Sequence, residues 1–420
     1  MSAEDRLAIV VGGGPAPGIN SVIAAACIRA RLEGMEVLGV RDGFSRLMEG
    51  DRDCLTSLTI DRVSRIHFRG GSALGTSRAN PTRDAQSMKS TIDTLRSHGV
   101  TMLLTIGGDD TAYSARCLGE AASEIRVAHV PKTIDNDLDL PPNIDTFGYQ
   151  TARHVGVGVI QNLMVDAKTT GRWYFVIAMG RKAGHLALGM GKAAGATLTL
   201  IPEEFSQGSE SAEVSIDQLV DVLAGAIIKR ASEGRRDGVA VIAEGVCLGI
   251  REEDLKDFGQ VERDDHGHLR LAELDIGRVL QMRVRRVLRE LGMEATIVSK
   301  DIGYELRSAD PIPYDMEYTR DLGYCGAQFL LDGGDGCMVS MQEGRFVPVP
   351  FEDLTDARTG RMRVRMVDVH STRYEIARRY MIRLRPEDFS DPDSLACLSS
   401  TADMTPDEFT SRFQSACSTD

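Results

Sequence analysis

This chain of 420 residues has fewer positive than negative charges, few aromatic residues and no long apolar run. The formal net charge is −13 at pH 7, which argues against nucleic acid as a partner. No stretch approaches the roughly 18 apolar residues that a membrane-spanning helix needs. Residues 1–10 also lack the basic start and apolar centre of a signal peptide. We therefore expect a protein that binds neither nucleic acid nor a membrane.

Cysteine is also limited, to eight residues with no Cys-x-x-Cys pair among them. In a chain of this size such cysteines are typical of reduced, structural thiols rather than of a disulfide framework. The histidines, His185 included, show no metal-ligand spacing, and we interpret them as structural. Together these features favour a cytoplasmic protein.

Glycine is abundant, with 42 residues, and apolar runs of strand length alternate with segments of helical periodicity. This alternation predicts an α/β fold whose mostly parallel sheets are covered by helices on both faces. The length suggests two such Rossmann-like, three-layer domains, and we expect the active site in the cleft between them. The predicted strands are Leu7–Val11, Glu36–Val40, Met102–Ile106, Val127–Val130, Trp173–Ala178, Thr197–Ile201, Gly238–Ala243 and Ala295–Ser299.

Gly-rich or polar sequences follow six of these strands, at the edge where open α/β sheets bind ligands. After the first strand, Gly12-Gly13-Gly14 lacks Cβ atoms and would let a phosphate approach the backbone at the start of a helix. A further Gly-rich loop runs from Gly70 to Arg78, whose guanidinium could clamp a phosphate; a surface salt bridge is the alternative. Neither loop has dinucleotide or P-loop spacing.

Four carboxylates and a lysine follow two other strands, in the strings Gly107-Gly108-Asp109-Asp110 and Pro131-Lys132-Thr133-Ile134-Asp135-Asn136-Asp137. Like-charged carboxylates repel, so this cluster is costly unless a cation or a reaction needs it. We expect the two glycines to let the backbone aim Asp109 and Asp110 at one Mg²⁺-bound polyphosphate. The alternatives are helix capping by Asp110 and Asx turns at Asp135 and Asp137.

In order from about residue 7 to residue 350, these strings resemble the phosphofructokinase family. The resemblance implies phosphoryl transfer to the 1-hydroxyl of fructose 6-phosphate, with Asp135 as the base and Asp109 as the Mg²⁺ ligand. Arg172 matches an arginine that reaches into a partner subunit's site, which implies a homodimer or a higher homo-oligomer. Gly13 matches a phosphate-binding glycine of the family, and the positions that match its sugar-phosphate site are Met179, Gly180, Arg181, Glu244, Tyr304 and Arg307. We further predict that Gly14 and Arg78 bind the donor phosphates and that Thr133 and Asp137 bind the sugar phosphate.

Two positions indicate the phosphoryl donor. Members that use ATP typically have glycines where this chain has Asp110 and Lys132, and the pyrophosphate-dependent members have Asp and Lys. An Asp side chain adds bulk and negative charge where the α-phosphate of a nucleotide would lie, while the Lys ammonium can neutralise the transferring group. We therefore predict reversible transfer from pyrophosphate, with Asp135, Lys132 and Asp110 as the catalytic residues. The products would be fructose 1,6-bisphosphate and phosphate.

Three alternatives stay open from the sequence. The nearest is an ATP-dependent 6-phosphofructokinase, followed by a non-catalytic regulatory subunit on the same fold. A dinucleotide oxidoreductase is a third, although Gly12–Gly18 has the wrong spacing for it. The predicted domains are a phosphoryl-donor domain, 1–148 plus about 312–366, and a sugar-phosphate domain, 149–311 plus about 367–420. We expect an exposed insertion at about 251–270.

Overall fold

The computed structural model describes residues 5–206, 214–251, 254 and 275–417. Apart from Arg251 and Asp254, the expected insertion at about 251–270 lies outside the described residues. The chain divides into two compact units, Met1–Ala152 with Tyr304–Arg365 and Arg153–Gly303 with Met366–Asp420.

Helices and strands alternate along most of the described chain. The strands are β1 Arg6–Val11, β2 Glu36–Val40, β3 Leu55–Leu58, β4 Val100–Gly107, β5 Arg126–Thr133, β6 Phe147–Gly148, β7 Trp173–Ala178, β8 Leu198–Leu200, β9 Gly238–Ala243, β10 Ile297–Ile302, β11 Cys337–Met338, β12 Met341–Gln342, β13 Arg345–Phe346 and β14 Val349–Pro350. The helices are α1 Ile19–Leu32, α2 Ser45–Met48, α3 Ile60–Val63, α4 Ala85–Ser97, α5 Asp109–Ala121, α6 Tyr149–Thr170, α7 His185–Ala194, α8 Glu203–Ser206, α9 Ile216–Ser232, α10 Ile276–Glu290, α11 Tyr304–Arg307, α12 Pro313–Leu331, α13 Thr372–Tyr380, α14 Pro386–Ser390, α15 Pro392–Thr401 and α16 Pro406–Phe413.

The sheet of the first unit has the order β14-β11-β5-β4-β1-β2-β3, with β6 beside the end of β5. Its pairings are parallel except at the two edges, where β3 and β14 are antiparallel. Val11 pairs with Ile106 and Gly107 pairs with Pro131, so the carboxyl ends of β1, β4 and β5 lie side by side. Three of the predicted loops therefore start from the same, carboxyl ends of neighbouring strands.

Helices cover both faces of the first unit's sheet. Ala8, Val10 and Leu103 belong to one buried cluster with side chains of α4 and α5. Leu104 of the opposite face packs against α12 at Gly326. The helices α1 and α12 come so close that a Cβ at Gly323 would lie 2.5 Å from the carbonyl oxygen of Val22. This arrangement is the layered packing that continuous apolar strands require.

Asp315, in the first turn of α12, fixes the start of α6. Its side chain is fully buried and accepts hydrogen bonds from Gly148 N (3.0 Å), Thr151 N (2.7 Å) and Thr151 Oγ1 (2.5 Å). It thus provides partners for N–H groups that an α-helix leaves unpaired at its N-terminus. Burial raises the pKa of the Asp315 carboxyl, while these hydrogen bonds oppose that rise.

The second unit has a parallel sheet in the order β10-β7-β9-β8. Ala178 pairs with both Ile302 and Ala243, so the carboxyl ends of β10, β7 and β9 are adjacent. The C-terminal segment forms α14, α15 and α16. Phe409 and Phe413 of α16 are fully buried, so this segment belongs to the core of the unit.

The expectation of an α/β fold with mostly parallel sheets is confirmed. The unit boundaries after residues 152, 303 and 365 lie near the expected ones after 148, 311 and 366. The largest difference is at residues 304–311, which contain Tyr304 and Arg307 and belong to the first unit rather than to the second. None of the described helices is both long and apolar enough to cross a membrane.

Candidate active site

The two Gly-rich loops of the first unit are hydrogen-bonded to each other at the end of β1. Gly13 N donates to the carbonyl oxygen of Ser77 (2.8 Å), and Thr76 Oγ1 donates to the carbonyl oxygen of Gly13 (2.7 Å). Asn20 holds the other end of the second loop, because its side chain accepts from Ala73 N (2.7 Å) and donates to Arg69 O (3.0 Å). The structure thus brings together two loops that are about 60 residues apart in sequence.

Gly13 and Gly14 leave space that two cationic side chains approach. Gly13 has φ 79°, and a Cβ there would lie 3.1 Å from Lys132 Nζ. A Cβ at Gly14 would lie 3.1 Å from Arg307 Nη1. A side chain at either position would therefore displace a positive charge from the loop, and at Gly13 it would also be strained.

Lys132 is the buried cation of this site. It is only 4% exposed, and its Nζ donates to the carbonyl oxygen of Gly14 (2.5 Å). Burial lowers the pKa of Lys132 to about 8; the Asp135 and Asp109 carboxylates oppose this change, and Arg307 and Arg78 add to it. The lysine is therefore charged at pH 7 and close to titration just above it.

The strand that carries Lys132 is longer than the sequence indicated. We expected it to end at Val130, with Lys132 in the following loop, but β5 continues to Thr133. The reason is β6, which pairs with the end of β5 so that Lys132 lies opposite Phe147 and Thr133 opposite Gly148. Lys132 is thus held by a regular strand, which restricts the positions its ammonium group can reach.

Asp109 and Asp110 are the first two residues of α5, and the N-cap residue is Gly108. Capping by Asp110 is therefore wrong. Successive helical residues are rotated by about 100° around the axis, so the Cα–Cβ bonds of Asp109 and Asp110 leave the helix in different directions. Asp109 is half-buried, whereas Asp110 is exposed. Both residues lie in the first turn of α5, at the positive end of the helix dipole.

Asp135 and Asp137 lie in a tight, buried turn after β5, with exposures of 7% and 9%. Asp135 N donates to Thr133 Oγ1 (3.0 Å), which folds the chain back on the end of the strand. Between the two carboxylates, Asn136 has φ 57°, in the left-handed region. The Coulombic interactions of Lys132 with Asp135 and Asp109 indicate that the two predicted acidic strings meet around this lysine.

His129 is a buried residue that we had interpreted as structural. Its Nε2 lies 3.0 Å from the carbonyl oxygen of Gly107, to which it donates, and its Nδ1 lies 2.7 Å from Thr105 Oγ1. Complete burial lowers the pKa of His129 to about 3, so the ring is neutral. It supports the strand end just before Asp109 without adding charge.

Tyr304 and Arg307, expected to bind the sugar phosphate, form a pair in the first unit. The Arg307 guanidinium lies over the Tyr304 ring, 4.5 Å from its centroid, and its Nη1 faces Gly14. This arrangement places a further cation beside the glycine loop and Lys132.

In the second unit, the Met179-Gly180-Arg181 string and Glu244 meet at the ends of β7 and β9. Glu244 Oε1 accepts hydrogen bonds from Gly180 N (3.2 Å) and Arg181 N (3.0 Å). These bonds hold Arg181 at φ 41°, a conformation that is uncommon for a residue with a side chain. Burial raises the pKa of Glu244, and the backbone N–H groups oppose the rise.

Glu203 is a residue near this loop that sequence reasoning missed. It is 4% exposed, and its Oε1 accepts from Gly184 N (2.9 Å) and from Val367 N (2.9 Å). Glu203 thus ties the loop after Arg181 to the chain near residue 367. No sequence signal could have indicated the second partner, because it lies more than 160 residues away.

Arg172 is not brought together with Arg181 and Glu244. It precedes β7, whereas Met179 follows it, so the six-residue strand separates them by about 20 Å. Arg172 is partly exposed, and its Nε lies 3.9 Å from Asp166 Oδ2. Within one copy of the second unit, Arg172 therefore lies at the amino end of β7, whereas Arg181 and Glu244 lie beyond the carboxyl ends of β7 and β9.

The acidic groups suit a metal that needs few protein ligands. Among the described residues, no three or more His, Cys, Asp or Glu side chains are grouped so that they could hold a metal ion. Mg²⁺ in phosphoryl-transfer sites is usually bound by one or two carboxylates together with phosphate oxygens and water. The half-buried Asp109 at the end of β4 fits that requirement.

Comparisons with known proteins agree with the resemblance seen in the sequence. The model of the family described as Phosphofructokinase matches residues 6–330. A protein named pyrophosphate--fructose 6-phosphate 1-phosphotransferase, from Thermotoga maritima, is 52% identical over 415 residues, which cover 97% of this chain and 98% of that relative. A relative of the same name from Naegleria fowleri is 47% identical and covers 97% of this chain and 95% of its own length.

Solved structures share the fold at low sequence identity. The pyrophosphate-dependent phosphofructokinase from Nitrosospira multiformis aligns with a TM-score of 0.67 and 16% identity, over 90% of this chain and 91% of that one. At this identity the likeness supports the fold alone.

Proposed function

Since the chain belongs to the phosphofructokinase family, we propose that it transfers a phosphoryl group reversibly from pyrophosphate to the 1-hydroxyl of fructose 6-phosphate. The products are fructose 1,6-bisphosphate and phosphate. The observation that carries the choice of donor is Lys132, whose buried ammonium lies against Gly13 and Gly14. The relatives at 52% and 47% identity, whose names specify pyrophosphate, support the same choice.

On the donor side, the loops around Gly13 and Arg78 bind the two phosphates of pyrophosphate. Lys132 stabilises the charge that develops on the transferring group and on the departing phosphate, which in a buried site is worth more than in water. Asp110 excludes a nucleotide, because its exposed carboxylate repels the α-phosphate. Pyrophosphate has only two phosphates and so places no atoms where the α-phosphate of a nucleotide would lie.

Asp135 acts as the general base. It is buried beside Lys132, whose positive charge favours the carboxylate form. In that form it accepts the proton of the 1-hydroxyl as the sugar oxygen attacks the phosphorus. A positioned base contributes about 10²–10⁴ in rate. In the reverse direction Asp135 returns this proton to the sugar oxygen.

Mg²⁺ is the metal we propose, held by Asp109 and by oxygens of the donor. When bound, it neutralises charge on the phosphates, which is the usual role of this ion in phosphoryl transfer. The protein's own part is to present the Asp109 carboxylate at the start of α5, directly after β4.

In the second unit we propose Arg181, Glu244, Met179 and Gly180 as residues that bind the sugar phosphate. In the first unit we propose Thr133, Asp137, Tyr304 and Arg307 for the same role. Glu244 already uses one carboxylate oxygen on backbone N–H groups, which leaves the other to accept from sugar hydroxyls. Each of Arg181 and Arg307 carries a guanidinium group, which suits the recognition of a phosphate monoester.

We propose a homo-oligomer, at least a dimer, in which Arg172 serves the site of a partner subunit. Arg172 lies at the amino end of β7, and Arg181 follows the carboxyl end of the same strand. Because Arg172 is this far from Arg181 of its own chain, a role in a partner's site is supported. The test is complementation: Arg172→Ala and Asp135→Asn proteins, each weakly active, are unfolded, mixed and refolded. Activity should return in the mixture if the residues act in one site from different chains. A mixture no more active than its components would contradict the proposal.

A cytoplasmic location is also part of the proposal. All eight cysteines are free thiols, as expected in a reducing compartment.

The donor is tested by measuring turnover of fructose 6-phosphate with pyrophosphate and with ATP, at the same Mg²⁺ concentration. We expect turnover with pyrophosphate and little with ATP. Strong activity with ATP and none with pyrophosphate would favour the ATP-dependent alternative. No turnover with either donor, in an oligomer that still binds fructose 6-phosphate, would favour a regulatory subunit.

A further inference from the structure

Arg365, which none of the sequence motifs includes, is hydrogen-bonded to the turn that carries Asp135. We call residues 133–137 the Asp135 turn. The Arg365 guanidinium donates to the carbonyl oxygen of Asn136 through Nη2 (3.1 Å) and Nε (3.2 Å), and to Asn136 Oδ1 through Nη2 (2.5 Å). Its Nη1 donates to the carbonyl oxygen of Ile144 (2.7 Å), and its backbone N donates to that of Asp137 (2.8 Å).

The conformation of Asn136 explains why the turn needs such support. Its φ of 57° is in the left-handed region, which residues with a side chain rarely adopt, although Asn tolerates it better than most. The backbone at Asn136 sets the direction in which Asp135 and Asp137 leave the turn. A change of φ there would therefore move both carboxylates together.

Asn136 also receives support from the opposite side of the loop. Its Nδ2 donates to Asp145 Oδ1 (2.8 Å), and its Oδ1 accepts from Thr146 N (3.0 Å). Thr146 Oγ1 in turn donates to the carbonyl oxygen of Thr133 (2.8 Å), at the end of β5. Arg365 closes this network, because its planar guanidinium reaches three acceptors on both sides of the loop. A lysine ammonium lacks that flat, forked geometry.

We propose that Arg365 is a positioning residue for phosphoryl transfer: it holds Asn136 in its left-handed conformation and so fixes the direction of the Asp135 carboxylate. This inference rests on the proposed function, in which Asp135 is the base. The charge of Arg365 also offsets the carboxylates of Asp145, Asp139 and Asp137 around it. Arg365 is the last residue of the first unit, so the chain leaves that unit directly from this contact.

The experiment compares Arg365→Ala and Arg365→Lys with Arg363→Ala as the matched control. Arg363 lies two residues away and is bonded to Asp139 Oδ2 (2.6 Å), outside the Asp135 turn. Steady-state kinetics with pyrophosphate and fructose 6-phosphate should show kcat lowered about 100-fold in both Arg365 variants, since a misplacement of about 1 Å costs that much. KM should change far less, and Arg363→Ala should match the wild type.

Chemical rescue distinguishes positioning from a general loss of structure. Added guanidinium ion, well below denaturing concentrations, should restore part of kcat in Arg365→Ala, whereas ammonium ion should not. Should Arg365→Ala fail to fold, Arg365→Lys carries the kinetic test alone. Wild-type kcat in a folded Arg365 variant would overturn the inference, and so would a loss confined to KM.

The wild-type protein, measured in the same assay, separates this inference from the proposed function. A wild type that uses neither donor refutes the proposed function. A wild type that turns over pyrophosphate alongside fully active Arg365 variants refutes only the role of Arg365.

Discussion

Lys132 offers the sharpest test of the energetics of the site, because its charge should cost stability. Burial lowers its pKa from 10.5 to about 8 in the folded protein, and this difference corresponds to about 3 kcal/mol against the charged form. The hydrogen bond to Gly14 O returns part of that cost, about 1.5–3 kcal/mol for a charged donor. Replacing Lys132 by Met should therefore leave the free energy of unfolding at pH 7 unchanged or raise it by up to about 3 kcal/mol. Turnover with pyrophosphate should fall about 10²–10³-fold, because a charge-stabilising group is lost.

The pH dependence of the free energy of unfolding shows whether the charge of Lys132 stabilises or destabilises the folded protein. Between pH 8 and 10.5 the unfolded wild-type chain binds more protons at Lys132 than the folded protein does, so this group's contribution to stability rises with pH in that window. Lys132→Met should lack the rise, and its advantage over the wild type should shrink as the pH increases. Lys300→Met, at an exposed lysine of β10, is the matched control and should follow the wild type. Urea unfolding at pH 7 and 9.5 measures both effects. A variant less stable than the wild type by more than about 3 kcal/mol at pH 7, by an amount independent of pH, would refute the reasoning.

Three further predictions follow from the same contacts. The value of kcat/KM for pyrophosphate should fall as the pH rises through about 8, because Lys132 loses its charge there in the enzyme without substrate. A pH profile that is flat up to pH 10 would contradict this. Gly13→Ala should raise KM for pyrophosphate, since a Cβ there would lie 3.1 Å from Lys132 Nζ in a backbone of φ 79°. An unchanged KM would show that the loop accommodates a Cβ without affecting pyrophosphate binding. Asp315→Ala should lower the free energy of unfolding by about 1–3 kcal/mol, because it leaves buried N–H groups at the start of α6 without their acceptor. Denaturant titration checks this value, and an unchanged midpoint would contradict it.

The buried central strands and long helices could be predicted from the sequence because their apolar patterns are local. Glu36–Val40, Trp173–Ala178 and Gly238–Ala243 have the predicted bounds. Six short strands were missed: β3, β6, β11, β12, β13 and β14. Leu55–Leu58 is half-exposed at an edge, and the other five strands have two residues each, too few for a period to be recognised.

Candidate site residues could be proposed from the sequence where a short string contains them, but not where the contact is distant. Lys132 and Asp135 stand in one string, and the glycines before Asp109 mark the end of β4. Arg365 contacts Asn136 across 229 residues, so no local pattern connects them. The start of α5 at Asp109, with Gly108 as the N-cap residue instead of Asp110, could not be foreseen either.

The exclusion of a nucleotide by Asp110 and Lys132 is tested most directly in the double variant Asp110→Gly with Lys132→Gly. The measurement is the ratio of kcat/KM for pyrophosphate to kcat/KM for ATP, compared with the same ratio in the wild type. We expect the ratio to fall by several powers of ten, through loss of pyrophosphate turnover and a gain with ATP. A double variant that keeps the wild-type ratio would show that these two side chains do not select the donor.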